Sequence, residues 1–246
     1  MSGHSKWSTI KHRKGAKDAK RSKIFTKIIK ELTVAAKEAG PDPEANSRLR
    51  LAVQNAKGAN MPKDTIERAI NRGSGSDGVV YQEVTFEGYG PNGIAVFVEC
   101  ATDNNTRTVS NIRAIFNKHN GSMGKNGSLE FLFIRKGVFT IEAAEIDEEE
   151  FILEAIDGGA EDVVKEGDLF LIYSSFDDFG NMQNKLEELS IEPKSAELQR
   201  IPLNTTALDV GSAKKVLAMI EKFEDDDDVQ NVYHNLELTD ELMATL

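Results

Sequence analysis

The stretch GSGSDG, residues 73–78, separates two parts of the chain that have different periodicities. Glycine, serine and aspartate at this density are typical of a flexible polar linker between folded units. Before the stretch, apolar residues recur at steps of three and four, which indicates helices; after it they alternate, which indicates strands. The 246 residues are enough for two or three domains, each with its own core.

Three helices are predicted before the linker. The first runs over residues 15–39. The second begins at Asp42-Pro43-Glu44, with a capping side chain, a proline and an acid in its first turn, and ends at Gly58. The third is short and opens at Pro62. Helices of these lengths can share one small core, so we predict that residues 1–75 form a helical domain.

Beyond the linker, strand and helix patterns alternate in two sets. Residues 138–201 follow the order strand, helix, strand, strand, helix, strand, which is typical of a ferredoxin-like unit. Residues 79–134 supply two strands, a helix and a further strand at 129–134, and residues 205–246 supply one more helix and strand. The predicted fold class is therefore α+β: an N-terminal three-helix domain is followed by two α/β sandwich domains. The ferredoxin-like domain, residues 135–204, is inserted in a discontinuous domain formed by 79–134 plus 205–246.

Charge is distributed unevenly along the chain. Residues 1–75 contain 17 Lys and Arg against 7 Asp and Glu, whereas the remaining residues contain 13 against 34, which together give the net charge of −11. Only Asp18 and Glu31 are acidic among the first 37 residues, against 11 basic ones. Because repulsion among so many cations opposes folding, this pattern favours an anionic partner.

On a helical wheel, the basic residues of the first helix form a band opposite its apolar residues. We call this band the lysine stripe: Arg13, Lys17, Lys20, Lys23, Lys27, Lys30 and Lys37. A solvated helix face is the alternative. The apolar residues of the same helix are needed against the other two helices, which argues against a membrane surface. Nucleic acid fits better, since ammonium groups match phosphates and Trp7 offers a surface for base stacking.

The predicted nucleic-acid-binding residues are basic or aromatic: Lys6, Trp7, Lys11, Arg13, Lys14, Lys17, Lys20, Lys23, Lys27, Lys30, Arg107 and Arg113. The last two lie near the start of a predicted helix, where phosphate is favoured; helix capping and surface hydrogen bonding are the alternative. Further basic residues extend the positive surface: Arg48, Arg50, Lys57, Lys63, Arg68 and Arg72. Neutralisation of the stripe by the protein's own carboxylates would remove the basis of this hypothesis.

No pattern of catalytic or metal-binding residues is present. Gly88-x-Gly90-x-x-Gly93 matches the dinucleotide-binding pattern, but a strand follows it, so we predict a hairpin turn. The four histidines lack the spacing that places two ligands on one helix face, and Cys100 lies among core positions. Residues 224–228, all acidic, are predicted to form a solvated loop. We therefore expect no enzyme activity, no metal, no cofactor and no small-molecule substrate.

The sequence also lacks the signals of a membrane or secreted protein. No window approaches the roughly 18 consecutive apolar residues of a membrane span. Basic residues interrupt the N-terminus where a secretory signal has its apolar core. With Cys100 as the only cysteine, no disulfide can form within the chain. We expect a cytoplasmic protein, and a monomer.

Several short motifs, in matching order along the chain, resemble the YebC family. They are Gly3-His-Ser-Lys-Trp7, Lys11-His-Arg-Lys14, Asn60-Met-Pro-Lys63, residues 69–73, Tyr89-Gly-Pro-Asn-Gly93, Thr102-Asp-Asn-Asn-Thr-Arg107 and Gly121-Ser-Met-Gly124. The resemblance implies three domains, one helical and two α/β, in a cytoplasmic bacterial protein that binds nucleic acid. Members are known as probable transcriptional regulators, and mitochondrial relatives activate translation. It implies no catalytic residues.

Two mechanisms stay open for such a protein. A transcriptional regulator would bind promoter DNA, whereas a translation factor would bind ribosomal or transfer RNA with the same lysines. Lysines outnumber arginines nine to two in the first 37 residues, which favours contacts to the phosphate backbone over base recognition. This preference does not decide between DNA and structured RNA. A protein-interaction scaffold is the third and least favoured function.

Overall fold

A computed structural model describes residues 18–75, 80–144 and 146–245. Three helices come first: α1 at Asp18–Ala39, α2 at Ser47–Gly58 and α3 at Lys63–Ser74. They share one core, whose buried members include Leu32, Ala35, Leu49, Ala52, Ile66 and Ala69. The helical periodicity of the sequence therefore predicted all three elements and their common core correctly.

The second helix begins later than predicted, at Ser47 instead of Asp42. The capping residue is Asn46, which is buried. Its side chain accepts a hydrogen bond from Leu49 N at 3.0 Å and donates one to the carbonyl of Ala35 at 2.7 Å. Asparagine at this position both caps the helix and anchors the preceding turn to α1, which an exposed aspartate would not do.

The first sheet is antiparallel and has the strand order β3-β1-β2-β8. Its strands are β1 at Gln82–Tyr89, β2 at Ala95–Thr102, β3 at Ser122–Met123 and β8 at Val229–His234. Two helices cover one face: α4 at Asn105–Lys118 and α7 at Val210–Asp225. Phe116 of α4 and Phe223 of α7 meet in this core with ring centroids 4.8 Å apart.

The second sheet is also antiparallel and has the order β5-β6-β4-β7. Its strands are β4 at Phe133–Glu142, β5 at Ala160–Glu166, β6 at Leu169–Ser175 and β7 at Ser195–Pro202. Its helices are α5 at Glu148–Asp157 and α6 at Phe179–Glu188; a short α8, Asp240–Met243, follows the first sheet. All four strands lie in the chain between β3 and β8, so the ferredoxin-like unit is inserted in the first sheet's unit. The α+β fold class is confirmed.

The chain around Leu129 differs from the prediction. The expected strand at 129–134 is replaced by a 3-10 turn at Glu130–Leu132, and β4 runs unbroken through Gly137. A Cβ atom on this glycine would lie 2.4 Å from Ser174 Oγ and 2.6 Å from the Phe179 ring. Gly137 is therefore required within β4 for close packing. The two-residue β3 was not predicted.

The glycine pattern of residues 88–93 forms the predicted hairpin. Strands β1 and β2 are antiparallel, with Tyr89 opposite Ala95, and a 3-10 turn at Pro91–Gly93 joins them. Asn92 and Gly93 have φ values of 60° and 76°, in the left-handed region that asparagine and glycine tolerate best. Because a strand and not a helix follows, the dinucleotide-binding interpretation is excluded.

The helical region packs against the second sheet through α2. The side chain of Asn55 donates to the carbonyl of Ala196 and accepts from its N–H, each at 2.9 Å, as a neighbouring strand would. At the end of α2, a Cβ atom on Gly58 would lie only 2.2 Å from the Lys194 carbonyl oxygen. Helix α1 meets the first sheet, at the site described next.

Candidate nucleic-acid interface

The structure describes the side chains of five of the twelve predicted nucleic-acid-binding residues: Lys23, Lys27, Lys30, Arg107 and Arg113. Six others, Lys6, Trp7, Lys11, Arg13, Lys14 and Lys17, lie outside the described residues. Lys20 lies in α1, but its side chain is likewise outside the description. The structure therefore describes only part of the lysine stripe, together with the second predicted contact, which is formed by Arg107 and Arg113.

Lys30 points into the protein and is only 6% exposed. Its ammonium group donates to Asp228 Oδ1 at 2.9 Å, to the Asp227 carbonyl at 2.7 Å and to the Ala101 carbonyl at 3.0 Å. Three acceptors match the three donors of an ammonium group. In this conformation, Lys30 has no donor left for a phosphate.

The neighbouring stripe residues face the same part of the first sheet's unit. Lys23 forms an ion pair with Asp225 at 2.5 Å, and Lys27 donates to the Gln230 carbonyl at 3.1 Å. Residues 225–228, which we call the acidic segment, end α7 and lead into β8. Helix α1 is therefore docked on the acidic segment through Lys23 and Lys30, and on β8 through Lys27. For Lys23 and Lys30 this is the neutralisation by the protein's own carboxylates that would remove the basis of the phosphate hypothesis, so in the described conformation these two lysines do not support it.

Asp228 is the centre of a buried polar cluster. Its carboxylate accepts hydrogen bonds from Arg107 at 2.8 Å, Thr108 at 2.9 Å and Thr102 at 3.3 Å, in addition to Lys30. Burial alone would raise the pKa of Asp228, but the hydrogen bonds from Arg107 and Lys30 outweigh burial and hold the pKa below its ordinary value. The carboxylate is therefore ionised at neutral pH.

The prediction of a solvated loop at residues 224–228 is wrong for Asp228, which is 4% exposed. Consecutive acids on a helix would point outward in different directions, but α7 ends at Asp225 and the chain then turns inward. The N–H of Asp228 donates to Asp226 Oδ1 at 2.9 Å within this turn. The only signal in the sequence was the opposite charge of two segments about two hundred residues apart, Lys23–Lys30 and residues 224–228.

The two arginines of the second predicted contact have different surroundings in the structure. Arg107 forms ion pairs with Asp103 at 2.7 Å and with Asp228 at 2.8 Å, and Asn104 caps α4 by accepting from Arg107 N at 3.1 Å. Helix capping and ion pairing therefore account for Arg107 and Asn104. Arg113, further along α4, is exposed. A phosphate contact by either arginine stays a prediction.

Arg48 takes part in a second junction between α2 and the first sheet. Its guanidinium group contacts Glu31 and Glu38 of α1, each at 2.8 Å, and Glu83 of β1 at 2.6 Å. The hydrogen bond from Arg48 holds the pKa of Glu83 below its ordinary value. Arg48 meets three carboxylates, so it adds little to the positive surface that the sequence predicted.

Other cations of the helical region remain exposed. Within residues 18–75 and the other described ranges, no carboxylate lies at ion-pair distance from five of them: Arg21, Lys37, Lys57, Arg68 and Arg72. Arg68 and Arg72 are four residues apart on the outer side of α3. Arg21 donates to the Asn60 carbonyl at 3.3 Å, which places it at the α2–α3 turn. These five, with Lys63, form the exposed basic set; Lys63 is 86% exposed.

The described part of the chain has no further arrangement of metal ligands or of an activated thiol. None of its groups of three or more His, Cys, Asp and Glu residues is placed to hold a metal ion. Burial raises the pKa of Cys100 to about 12, so its thiol stays protonated at neutral pH and is a poor nucleophile. None of the described helices is long and apolar enough to cross a membrane.

Two family models match the chain. The TACO1/YebC protein N-terminal domain matches residues 5–76, and the TACO1/YebC second and third domain matches residues 81–236. The chain is 54% identical over 239 residues to a "Probable transcriptional regulatory protein" of Amoebophilus asiaticus, covering 96% of this chain and 98% of that one. It is also 54% identical over 247 residues to a protein of the same name from Syntrophotalea carbinolica, covering 100% and 99%. A crystal structure of a conserved hypothetical protein from Aquifex aeolicus superimposes with a TM-score of 0.84 at 41% identity, covering 92% of this chain and 94% of that one.

Proposed function

The chain belongs to the TACO1/YebC family, and from this we propose that it is a nucleic-acid-binding regulatory protein. It acts in the cytoplasm as a transcriptional regulator, without enzyme activity, and its basic helical region contacts the phosphates of DNA. The names of its relatives support a regulator of transcription. The charge and the exposure of the basic helical region support its role in contacting phosphates.

The observation that carries this proposal is the segregation of charge. The helical region contains 17 basic residues against 7 acidic ones, and the members of the exposed basic set other than Lys63 have no carboxylate partner among the described residues. Phosphates near these cations would relieve their repulsion and would release condensed counterions from the nucleic acid, which supplies binding free energy. In this proposal the helical domain, residues 1–75, binds the nucleic acid. The acidic remainder orients the protein as it approaches; it consists of the discontinuous domain, 79–134 plus 205–246, and the inserted domain, 135–204.

The second candidate is a translation factor that binds structured RNA. It is favoured by the predominance of lysine over arginine, nine to two in the first 37 residues, because lysine contacts phosphates without base recognition. Both candidates use the same exposed basic set. They differ in the ligand that is bound in the cell, so one pair of experiments separates them.

The first experiment measures binding of the full chain to labelled duplex DNA and to a structured RNA by fluorescence anisotropy. Arg68→Glu/Arg72→Glu reverses two neighbouring cations of the exposed basic set. The matched control is Lys214→Glu/Lys215→Glu, which reverses two exposed cations on α7 and causes the same change in net charge. We expect at least about a tenfold loss of affinity in the first variant and little change in the control. Equal losses would show that only net charge matters, and would contradict a defined interface.

The second experiment is crosslinking in cells followed by sequencing of bound DNA and bound RNA. Promoter fragments would support the transcriptional regulator, and ribosomal RNA would support the translation factor. Enrichment of neither would contradict nucleic-acid binding and leave a protein-interaction scaffold as the function.

A further inference from the structure

We propose that the Asp225 carboxylate of the acidic segment is a built-in competitor of nucleic acid, which masks Lys23 in the described conformation. Nucleic acid that contacts Lys23 has to displace the Asp225 carboxylate from it, whereas Lys30 stays in place and keeps α1 docked. This inference rests on the proposed function. It adds an autoinhibitory contact to the nucleic-acid-binding site.

The row of contacts resembles the contacts that a phosphate backbone would make. Lys23, Lys27 and Lys30 are spaced by four and three residues, so they lie on one side of α1 over about 10 Å. The Asp225 carboxylate, the Gln230 carbonyl and the Asp228 carboxylate face them in the same order. Oxygen acceptors on successive helical turns satisfy the same ammonium donors that phosphate oxygens would satisfy.

The contacts differ in burial, and this difference divides them into two groups. In the Lys23–Asp225 pair the side chains are 41% and 43% exposed, so water and a competing anion reach both partners. In the Lys30–Asp228 pair the values are 8% and 6%. Exposed pairs contribute little to stability, whereas breaking a buried pair leaves an unpaired charge out of water. Competition therefore begins at Lys23 and stops before Lys30.

Two further contacts keep the helical region in place while the competitor is displaced. Arg48 binds Glu83 of β1, and Asn55 is paired with Ala196 of β7. Neither contact involves the lysine stripe. Displacement of Asp225 from Lys23 thus requires local rearrangement of side chains and no separation of the helices from the sheets.

The test compares two neighbouring aspartates in the full chain, with labelled duplex DNA and structured RNA as probes. Asp225→Asn removes the carboxylate that pairs with Lys23. Asp227→Asn is the matched control, because Asp227 is exposed and only its backbone carbonyl contacts Lys30. We expect Asp225→Asn to raise affinity about two- to fivefold, which is the range for an exposed ion pair, and Asp227→Asn to have a clearly smaller effect.

A double-mutant cycle assigns the gain to Lys23. In a Lys23→Met background, Asp225→Asn should no longer raise affinity, because the lysine that it unmasks is absent. Three results would overturn the inference and leave the proposed function intact. They are equal gains in affinity for Asp225→Asn and Asp227→Asn, a gain that persists without Lys23, and no gain at all while the wild-type protein binds. Absence of binding by the wild-type protein and by every variant would instead contradict the proposed function.

Discussion

Lys30 and Asp228 form a buried ion pair that joins α1 to the turn leading into β8. The ammonium nitrogen lies 2.9 Å from Asp228 Oδ1, and the two residues are 198 positions apart in the chain. Removing two charges from water is costly, and this cost is offset only where further hydrogen bonds complete the cluster. Arg107, Thr108 and the backbone carbonyls supply those bonds here. The pair therefore fixes the position of the helical region on the sheet.

Asp228→Ala is expected to destabilise the protein strongly. The substitution leaves the Lys30 ammonium group buried without its carboxylate, which costs about 3–5 kcal/mol in comparable buried pairs. Urea denaturation followed by circular dichroism measures the free energy of unfolding. Asp227→Ala is the control and should change it by less than about 0.5 kcal/mol, because the side chain is exposed. Similar values for both variants would show that the cluster is not structural.

Reversal of the stripe lysines should separate binding from folding. Lys23→Glu/Lys27→Glu is expected to lower affinity for nucleic acid at least about tenfold, since two phosphate contacts are lost. Lys30→Glu should also lower the free energy of unfolding, because it places a carboxylate against Asp228. Filter binding and urea denaturation of the same preparations measure the two effects. Unchanged affinity in the double variant would defeat the hypothesis that the stripe binds phosphates.

The Asp228 cluster should weaken in acid. The pKa of Asp228 is lowered in the folded protein, so the unfolded state binds protons first as the pH falls. The stabilisation is complete well above the unfolded pKa of about 3.9, and is lost as the pH falls through the folded pKa. We expect the difference in unfolding free energy between wild type and Asp228→Asn to be constant near neutral pH and to shrink below about pH 4. A difference independent of pH would contradict ionic stabilisation.

Gly73 allows the close approach of α3 to α1. A Cβ atom there would lie 2.3 Å from the Thr33 carbonyl oxygen and 2.9 Å from Ala36 Cβ. Gly73→Ala should therefore destabilise the protein by about 1–3 kcal/mol, as overpacking does. Gly180→Ala in α6 is the matched control, since nothing lies within 4 Å of its Cβ position. Alanine favours helix there, so thermal denaturation should show equal or higher stability for the control.

Affinity for nucleic acid should fall steeply with salt. Each neutralised phosphate releases a counterion, and the logarithm of the binding constant falls with the logarithm of salt concentration by about 0.9 for each contact. Arg68→Glu/Arg72→Glu should reduce this slope by about two. Titrations at several potassium chloride concentrations measure it. A flat profile for the wild-type protein would point to base stacking or to a protein partner.

Much of the fold could be predicted from local patterns. Steps of three and four apolar residues identified α1 to α3, and the strand after Gly93 was enough to assign the hairpin. The errors lie in the short elements and at the element ends. The strand predicted at 129–134 is a 3-10 turn up to Leu132, and β4 begins at Phe133. Strand β3 has only two residues, too few for any periodicity.

The sequence by itself determined the types of most elements, the uneven charge and the absence of a local catalytic pattern. It also placed the lysines of α1 opposite that helix's own apolar face. Only the tertiary structure decided what the lysines meet, because helical periodicity describes one helix and contains no information about a second layer. Helix α1 packs on α2 and α3 with one side and on the acidic segment with the other. The partner of Lys30 lies 198 residues away, and only the folding of the chain brings it within 2.9 Å.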